Sequence, residues 1–126
     1  MKRFFVAGAL LFLLICFNFF CLFSVKKIKN EATEKLDSIY LSILEDDFEK
    51  TALECENFTE YWLSKHHVLC LLVRHDFIDQ ITISVSTFIP LSKFDETSDL
   101  VSEIFECKTL FDEIWDSEIP YIRNIL

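Results

Sequence analysis

Residues 4–25 read FFVAGALLFLLICFNFFCLFSV, twenty-two residues without a charge. As a helix rising about 1.5 Å per residue, they reach roughly 33 Å, enough for a hydrocarbon core of about 30 Å. Fifteen of them are Leu, Ile, Val or Phe, each favouring insertion by about 0.3 to 0.6 kcal/mol near a helix centre. A cleaved signal sequence is the competing reading. Its apolar region runs only about 7–15 residues and ends at a small-x-small pair. Here the run is longer and closes on Cys21-Leu22-Phe23-Ser24-Val25. No small residue precedes Cys16 or Cys21, as a lipid-attachment box would need. The run therefore predicts an uncleaved signal anchor at residues 4–25, behind a basic tip at residues 1–3.

Lys2 and Arg3 flank one end of the run, and Lys26, Lys27 and Lys29 flank the other. The positive-inside rule counts such residues and nearly ties here, so charge alone does not orient the span. Asn18 is the one polar side chain deep in the run. It either pairs with another helix or is tolerated alone. Gly8 is the only glycine in the chain, so no GxxxG dimer face exists.

Beyond the run the polymer changes character. From Asn30 onward seven Lys and Arg stand against all twenty-one Asp and Glu, a formal charge of −14. Such a domain is expected to repel nucleic-acid backbones and anionic lipid surfaces alike, and its size suits one small unit at residues 26–126. Seven phenylalanines with Trp62 and Trp115 supply material for a core. Cys55, Cys70 and Cys107 lack CxxC spacing and read as buried small hydrophobes, not a disulfide framework.

Between Gly8 and Pro90 there is neither glycine nor proline, so the anchor is expected to continue into the next helix. Ile28, Ala32, Leu36, Ile39 and Ile43 form its apolar stripe, with Glu31–Lys35 as a favourable i,i+4 pair. Asp46 and Glu49 read as the capping box of a second helix whose stripe is Phe48, Ala52, Cys55, Phe58 and Trp62. Glu45, Asp46 and Asp47 read as cap and first-turn acids; as a cation site they lack the glycine and spacing of a calcium loop. Ile81–Ile89 alternates like a strand and is rich in β-branched residues, yet also fits a helix face through Ile78, Ile81, Val85 and Phe88. No other segment offers it a strand partner, which predicts helix. Pro90–Asp95 reads as a connection, with Asp95 or Thr97 capping a last helix striped by Leu100, Ile104, Cys107, Phe111 and Ile114. Pro120 is expected to end that helix and Tyr121–Leu126 to pack back on the bundle. The expected fold is all-α: a single N-terminal transmembrane helix followed by a small antiparallel three- or four-helix bundle.

The order of these pieces resembles a family of small bacterial membrane proteins known as domain of unknown function 4363. The residues that carry the likeness are the basic tip and anchor, Asp47-Phe48-Glu49-Lys50 leading through Ala52 to Trp62, His67, the LLVRH reading at Leu71–His75, and the ending Asn124-Ile125-Leu126. Ile81–Ile89 departs from the family in being more β-branched. The resemblance implies an N-terminal anchor and a helical domain on the outer face of the cell membrane, and it implies no activity.

His66, His67, Cys70, His75, Asp76 and Asp79 are the only cluster with ligand chemistry. On one continuous helix His67 and His75 would differ by about 80° in direction, and His75 and Asp79 would share a face. Hydrogen-bonded histidines at a helix junction are the favoured reading over a metal site. Trp62 and Trp115, on apolar stripes, read as core anchors. One glycine cannot build phosphate-binding or nucleophile loops. Two functions follow as expectations. The first is a non-enzymatic, membrane-tethered interaction or accessory protein without cofactor, which meets a protein partner at the membrane. The second is a metal-dependent enzyme or metal sensor using His67, His75 and Asp79.

Overall fold

With no helix breaker between the apolar run and the stripe that follows it, α1 forms as one helix, Lys2–Leu44, of 43 residues. It belongs to a computed structural model that describes the backbone of residues 1–125 and the side chains of residues 1–116. The first half of α1 is bare and the second half is core. Leu10, Leu13 and Leu14 stand exposed, whereas Val25, Ile28, Ala32, Leu36 and Ile39 are buried. Ile43, expected on the stripe, is half-buried, and Ser42 takes the buried position beside it.

Four further helices follow: α2 (Phe48–Leu72), α3 (His75–Ser86), α4 (Phe88–Lys93) and α5 (Thr97–Ile125). No strand occurs among the described residues, so Ile81–Ile89 is helical as expected. Helices α3 and α4 act as one broken strut, interrupted only at Thr87. The four struts stand in a square, each packed on its neighbours: α1 on α2 and α5, and the α3/α4 strut on the same two from the opposite side. Across the diagonal between α2 and α5, Trp62 meets Phe111 edge-on with ring centroids 5.7 Å apart. Phe58 stacks on Phe88 at 5.6 Å, and Trp62 Nε1 donates to Thr82 Oγ1 at 3.0 Å. Burying an indole N–H requires such a partner. Leu100, Ile104, Cys107, Phe111 and Ile114 are all buried, with Leu110 beside them.

The α1–α2 corner departs from the expected capping box. Asp46 is not the cap; its backbone is left-handed, with φ 56°. Its N–H reaches the carbonyl of Ile43 at 3.1 Å, and the Asp47 N–H reaches that of Ser42 at 3.1 Å. This is the paired closure of a Schellman motif, in which the left-handed place is usually glycine. In a chain with one glycine, aspartate fills it. The true N-cap of α2 is Asp47, whose Oδ1 accepts from the Lys50 N–H at 3.1 Å. The one-residue shift turns Thr51 inward and leaves Phe48 about half exposed. The same motif closes α4. Asp95 is left-handed, at φ 54°, and the Glu96 N–H bonds Leu91 O at 3.1 Å. Asp95 therefore does not cap α5, and Thr97 is already its first residue. Glu96 stands at the cap position, its carbonyl accepting from Leu100 N–H.

Both prolines lie inside helices. Pro90 is the third residue of α4, in the first turn, where its missing N–H has no partner to lose. The connection to α5 is thus shorter than the expected Pro90–Asp95. Helix α5 continues through Pro120 to Ile125 instead of ending there. Proline deletes one donor of the ladder, and bonds on either side can carry the helix past it. The expected packing of Tyr121–Leu126 lies outside the described side chains.

Two adjacent aspartates should respond oppositely. Asp46→Gly should stabilise the fold by about 0.5–1 kcal/mol, because glycine enters the left-handed region without a Cβ penalty. Asp47→Ala should cost about 1 kcal/mol through the lost cap. Urea unfolding of the two variants checks this. Destabilisation by Asp46→Gly comparable to that of Asp47→Ala would place the cap at Asp46 after all.

Candidate functional site

The histidine cluster is the first place to look, and the chain breaks in the middle of it. Helix α2 ends at Leu72, and Val73 and Arg74 are extended, with ψ of 157° and 136°. His67 and His75 therefore do not share a helix, and their expected angular relation does not apply. The break carries no glycine, proline or side-chain cap; burial of Leu69, Val73 and Ile78 holds it. His66 packs edge-on to Trp62 at 6.0 Å and stands 3.7 Å from Cys70 Sγ through Nε2. His67, His75 and Asp79 are exposed, and Asp76 pairs with Arg74 at 3.2 Å. Among the described residues no three His, Cys, Asp or Glu side chains gather as a metal site would require. The structure thus brings His66 and Cys70 together, keeps His75 and Asp79 on one face of α3 as expected, and leaves His67 on a different helix.

A second region collects more polar groups. Along the seam of α1 and α2 runs a groove of about 500 Å³ lined by Glu31, Glu34, Lys35, Ser38 and Tyr61. It adjoins a smaller one of about 180 Å³, which shares Lys35 and Ser38 and adds Glu54, Asn57 and Phe58. Tyr61 organises it. Its hydroxyl donates to Glu31 Oε2 at 2.8 Å and lies 3.5 Å from the Ile28 carbonyl. Lys35 Nζ sits 5.1 Å from the Tyr61 ring centre. The expected Glu31–Lys35 pair is thereby replaced: each side chain reaches the tyrosine. Burial first, then the bond to Glu31 and its negative charge, push the Tyr61 hydroxyl pKa well above its usual value. One Glu54 oxygen is enclosed without a hydrogen-bond partner. With three carboxylates and one ammonium, the groove favours a cationic group.

Sequence reasoning passed over this groove because it searched for ligand-type residues in clusters. The signal was there as spacing. Glu31, Glu34, Lys35 and Ser38 lie at intervals of three, one and three, and Glu54, Asn57 and Tyr61 at three and four. Two polar stripes at helical spacing, each beside an apolar one, mark the rims of a helix–helix seam.

The aromatic and thiol groups otherwise serve the interior. Only Phe58, Phe88 and Phe111 of the seven downstream phenylalanines are fully buried. Trp62 is buried as expected. Trp115 is half-buried under Lys26 and Lys29, whose ammonium groups lie 5.9 and 6.0 Å from its ring. Cys55 and Cys107 are wholly buried, and Cys70 is half-buried.

With this geometry the comparison with known families is direct, since the profile of Domain of unknown function (DUF4363) matches residues 19–125. The chain belongs to the DUF4363 family. The match spans the packed half of α1 and every later helix, and it begins inside the apolar run. No curated protein and no solved structure matches this DUF4363 chain.

The two buried thiols give this DUF4363 domain a defined alkaline limit. Burial pushes Cys55 and Cys107 from 9.0 up to about 12. A raised pKa means that the folded state resists losing the proton that the unfolded chain gives up readily. The stability so contributed is complete below pH 9 and is lost as pH rises toward 12. Urea midpoints should therefore fall across that window, and the fall should be shallower in Cys107→Ala. An unchanged slope in that variant would show that Cys107 ionises as freely in the fold as outside it.

Proposed function

We propose that this protein is a non-enzymatic accessory protein of the cell membrane, anchored once through residues 4–25, whose domain binds another membrane protein. The observation that carries the reading is the double role of α1. One helix of 43 residues is apolar and bare over its first half and supplies the core stripe over its second. A domain built on its own anchor has no slack linker. It is held close to the bilayer, which raises the effective concentration of a weakly binding partner there. The partner surface is acidic, and the α1–α2 groove, with Glu31, Glu34 and Glu54 against Lys35, suits a lysine or arginine side chain. The family resemblance favours the outer face for the domain, and the flanking charges leave that choice open.

Two measurements test this. Protease added to intact cells should digest the domain; digestion only after lysis would reverse the orientation. Crosslinking in native membranes followed by mass spectrometry should recover one or more defined membrane proteins. Recovery should fall in the Glu34→Gln/Glu54→Gln variant and when residues 4–18 are exchanged for an unrelated span. Crosslinks only to the protein itself, together with turnover of a small molecule by the purified protein, would replace this reading with an enzymatic one.

A further inference from the structure

The bare length of α1 is too short for the bilayer that its composition invites. The register of α1 against α2 is fixed at two heights. Ser42 Oγ and Thr51 Oγ1 are 2.8 Å apart, and the Tyr61 hydroxyl lies 3.5 Å from the Ile28 carbonyl. From Tyr61, α2 runs eleven more residues to Leu72, about 16 Å along the helix. The same count back along α1 from Ile28 ends at Phe17, and carried from the Ser42–Thr51 contact it ends at Cys21. On α1, Asn18, Cys21 and Leu22 are half-buried at this height, while Phe12, Leu13 and Leu14 below it are exposed. The family match also begins there, at residue 19. The apolar run clear of the domain is therefore only the stretch from Phe4 to Cys16 or Phe20. That is about 20–26 Å of helix, short of a hydrocarbon core of about 30 Å.

We infer that the α2–α3 corner is itself a membrane-contacting edge, seated in the lipid headgroup and upper acyl region beside α1. This rests on the anchor reading above. The missing span length places the corner about 4–10 Å inside the hydrocarbon boundary, the depth at which interfacial helices lie. The corner's surface matches that position. Leu71 is 87% exposed and Val68 42% exposed, apolar side chains three apart on one face of α2. No Asp or Glu occurs between Glu60 and Asp76 in a domain otherwise crowded with acids. Lys65, His67, Arg74 and His75 lie within four residues of Val68 or Leu71 in the chain, and long basic side chains can reach back to headgroups while their stems stay apolar. Asp76 is already paired with Arg74. Tyr61 and Trp115 stand one level higher, near Ile28 and Lys29, where amphipathic rings belong at a membrane surface. The acid-rich far end, with Glu45, Asp46 and Asp47, points away into water.

Spin-label accessibility on the full chain tests the inference. Cys16, Cys21 and Cys70 are replaced by alanine, and Cys55 and Cys107 stay, being wholly buried. Single labels are placed at Leu71→Cys, Val68→Cys, Phe12→Cys or Leu44→Cys, all of them exposed positions. The protein is studied in nanodiscs of equal parts phosphatidylcholine and phosphatidylglycerol. At Leu71 and Val68 the ratio of oxygen to water-soluble nickel-chelate collisions should be several-fold higher than at Leu44 and should approach that at Phe12. Water-like ratios at both corner sites, with a bilayer-like ratio at Phe12, would overturn the corner contact and leave the anchor standing. A water-like ratio at Phe12 as well would remove the anchor reading, and this inference with it.

Discussion

The unbroken hydrogen-bond ladder of α1 across residues 20–30 is the constraint on which the rest depends. On one side of it the side chains have no protein to pack against; on the other they are the wall of a core. A glycine pair or a proline in that stretch would have let the two halves turn independently. The chain has neither there, and the stripe from Val25 to Ile39 begins within the last turn of the apolar run. The direction of the bare first half and the packing of the second are thus coupled through one unbroken helix. The positions of Tyr61, Trp115 and the α2–α3 corner along the axis of α1 follow from residue count.

The bundle that forms around the packed half is held by large side chains meeting across its diagonal and by small polar pairs at its seams. Trp62 and Phe111 join the two struts that are not neighbours, so neither α2 nor α5 can slide without opening the centre. The seams use hydroxyls. Ser42 and Thr51 share a hydrogen bond between α1 and α2, each also 2.7–2.9 Å from a carbonyl of its own chain. Ser84 donates to the Glu103 carboxylate between α3 and α5. Buried hydroxyls satisfied in this way specify register at little net cost, and losing one partner would strand the other at about 1–3 kcal/mol. Lys108–Asp37 and Lys29–Asp112 hold α5 to α1 at the partly exposed rim, where such pairs contribute less, about 0.2–1 kcal/mol.

Much of this was legible in the residues. The stripes of α1 and α5 came from periodicity, because burial on one face of a helix leaves its mark at three- and four-residue spacing; the long apolar start of α1 came from its uncharged run, and the helical reading of Ile81–Ile89 from the lack of a strand partner. What stayed hidden was where helices stop. Asp46 and Asp95 hold left-handed positions that composition assigns to glycine, and an aspartate looks the same in sequence whether it caps a helix or terminates one. The stop at Val73 has no local signal, since tertiary burial and not backbone chemistry reverses the chain there. Pro90 sits in a first turn, where a proline is no breaker, and the ladder on either side carries α5 past Pro120. The groove at Tyr61 was missed because its members are ordinary surface residues until two helices are set side by side. The histidines drew attention by type, and the break between His67 and His75 removed the angular relation expected of that pair.

The central claim is that the span and the core stripe are one rigid helix in the membrane-embedded protein. Pulsed electron resonance between spin labels at Leu13 and Leu41, both exposed positions of α1, measures it most directly when carried out on the full chain in nanodiscs. The twenty-eight helical steps from one to the other should give a single narrow distance of about 42 Å. A broad distribution, or a distinctly shorter one, would mean that α1 bends at the membrane surface and that the domain moves freely on its anchor.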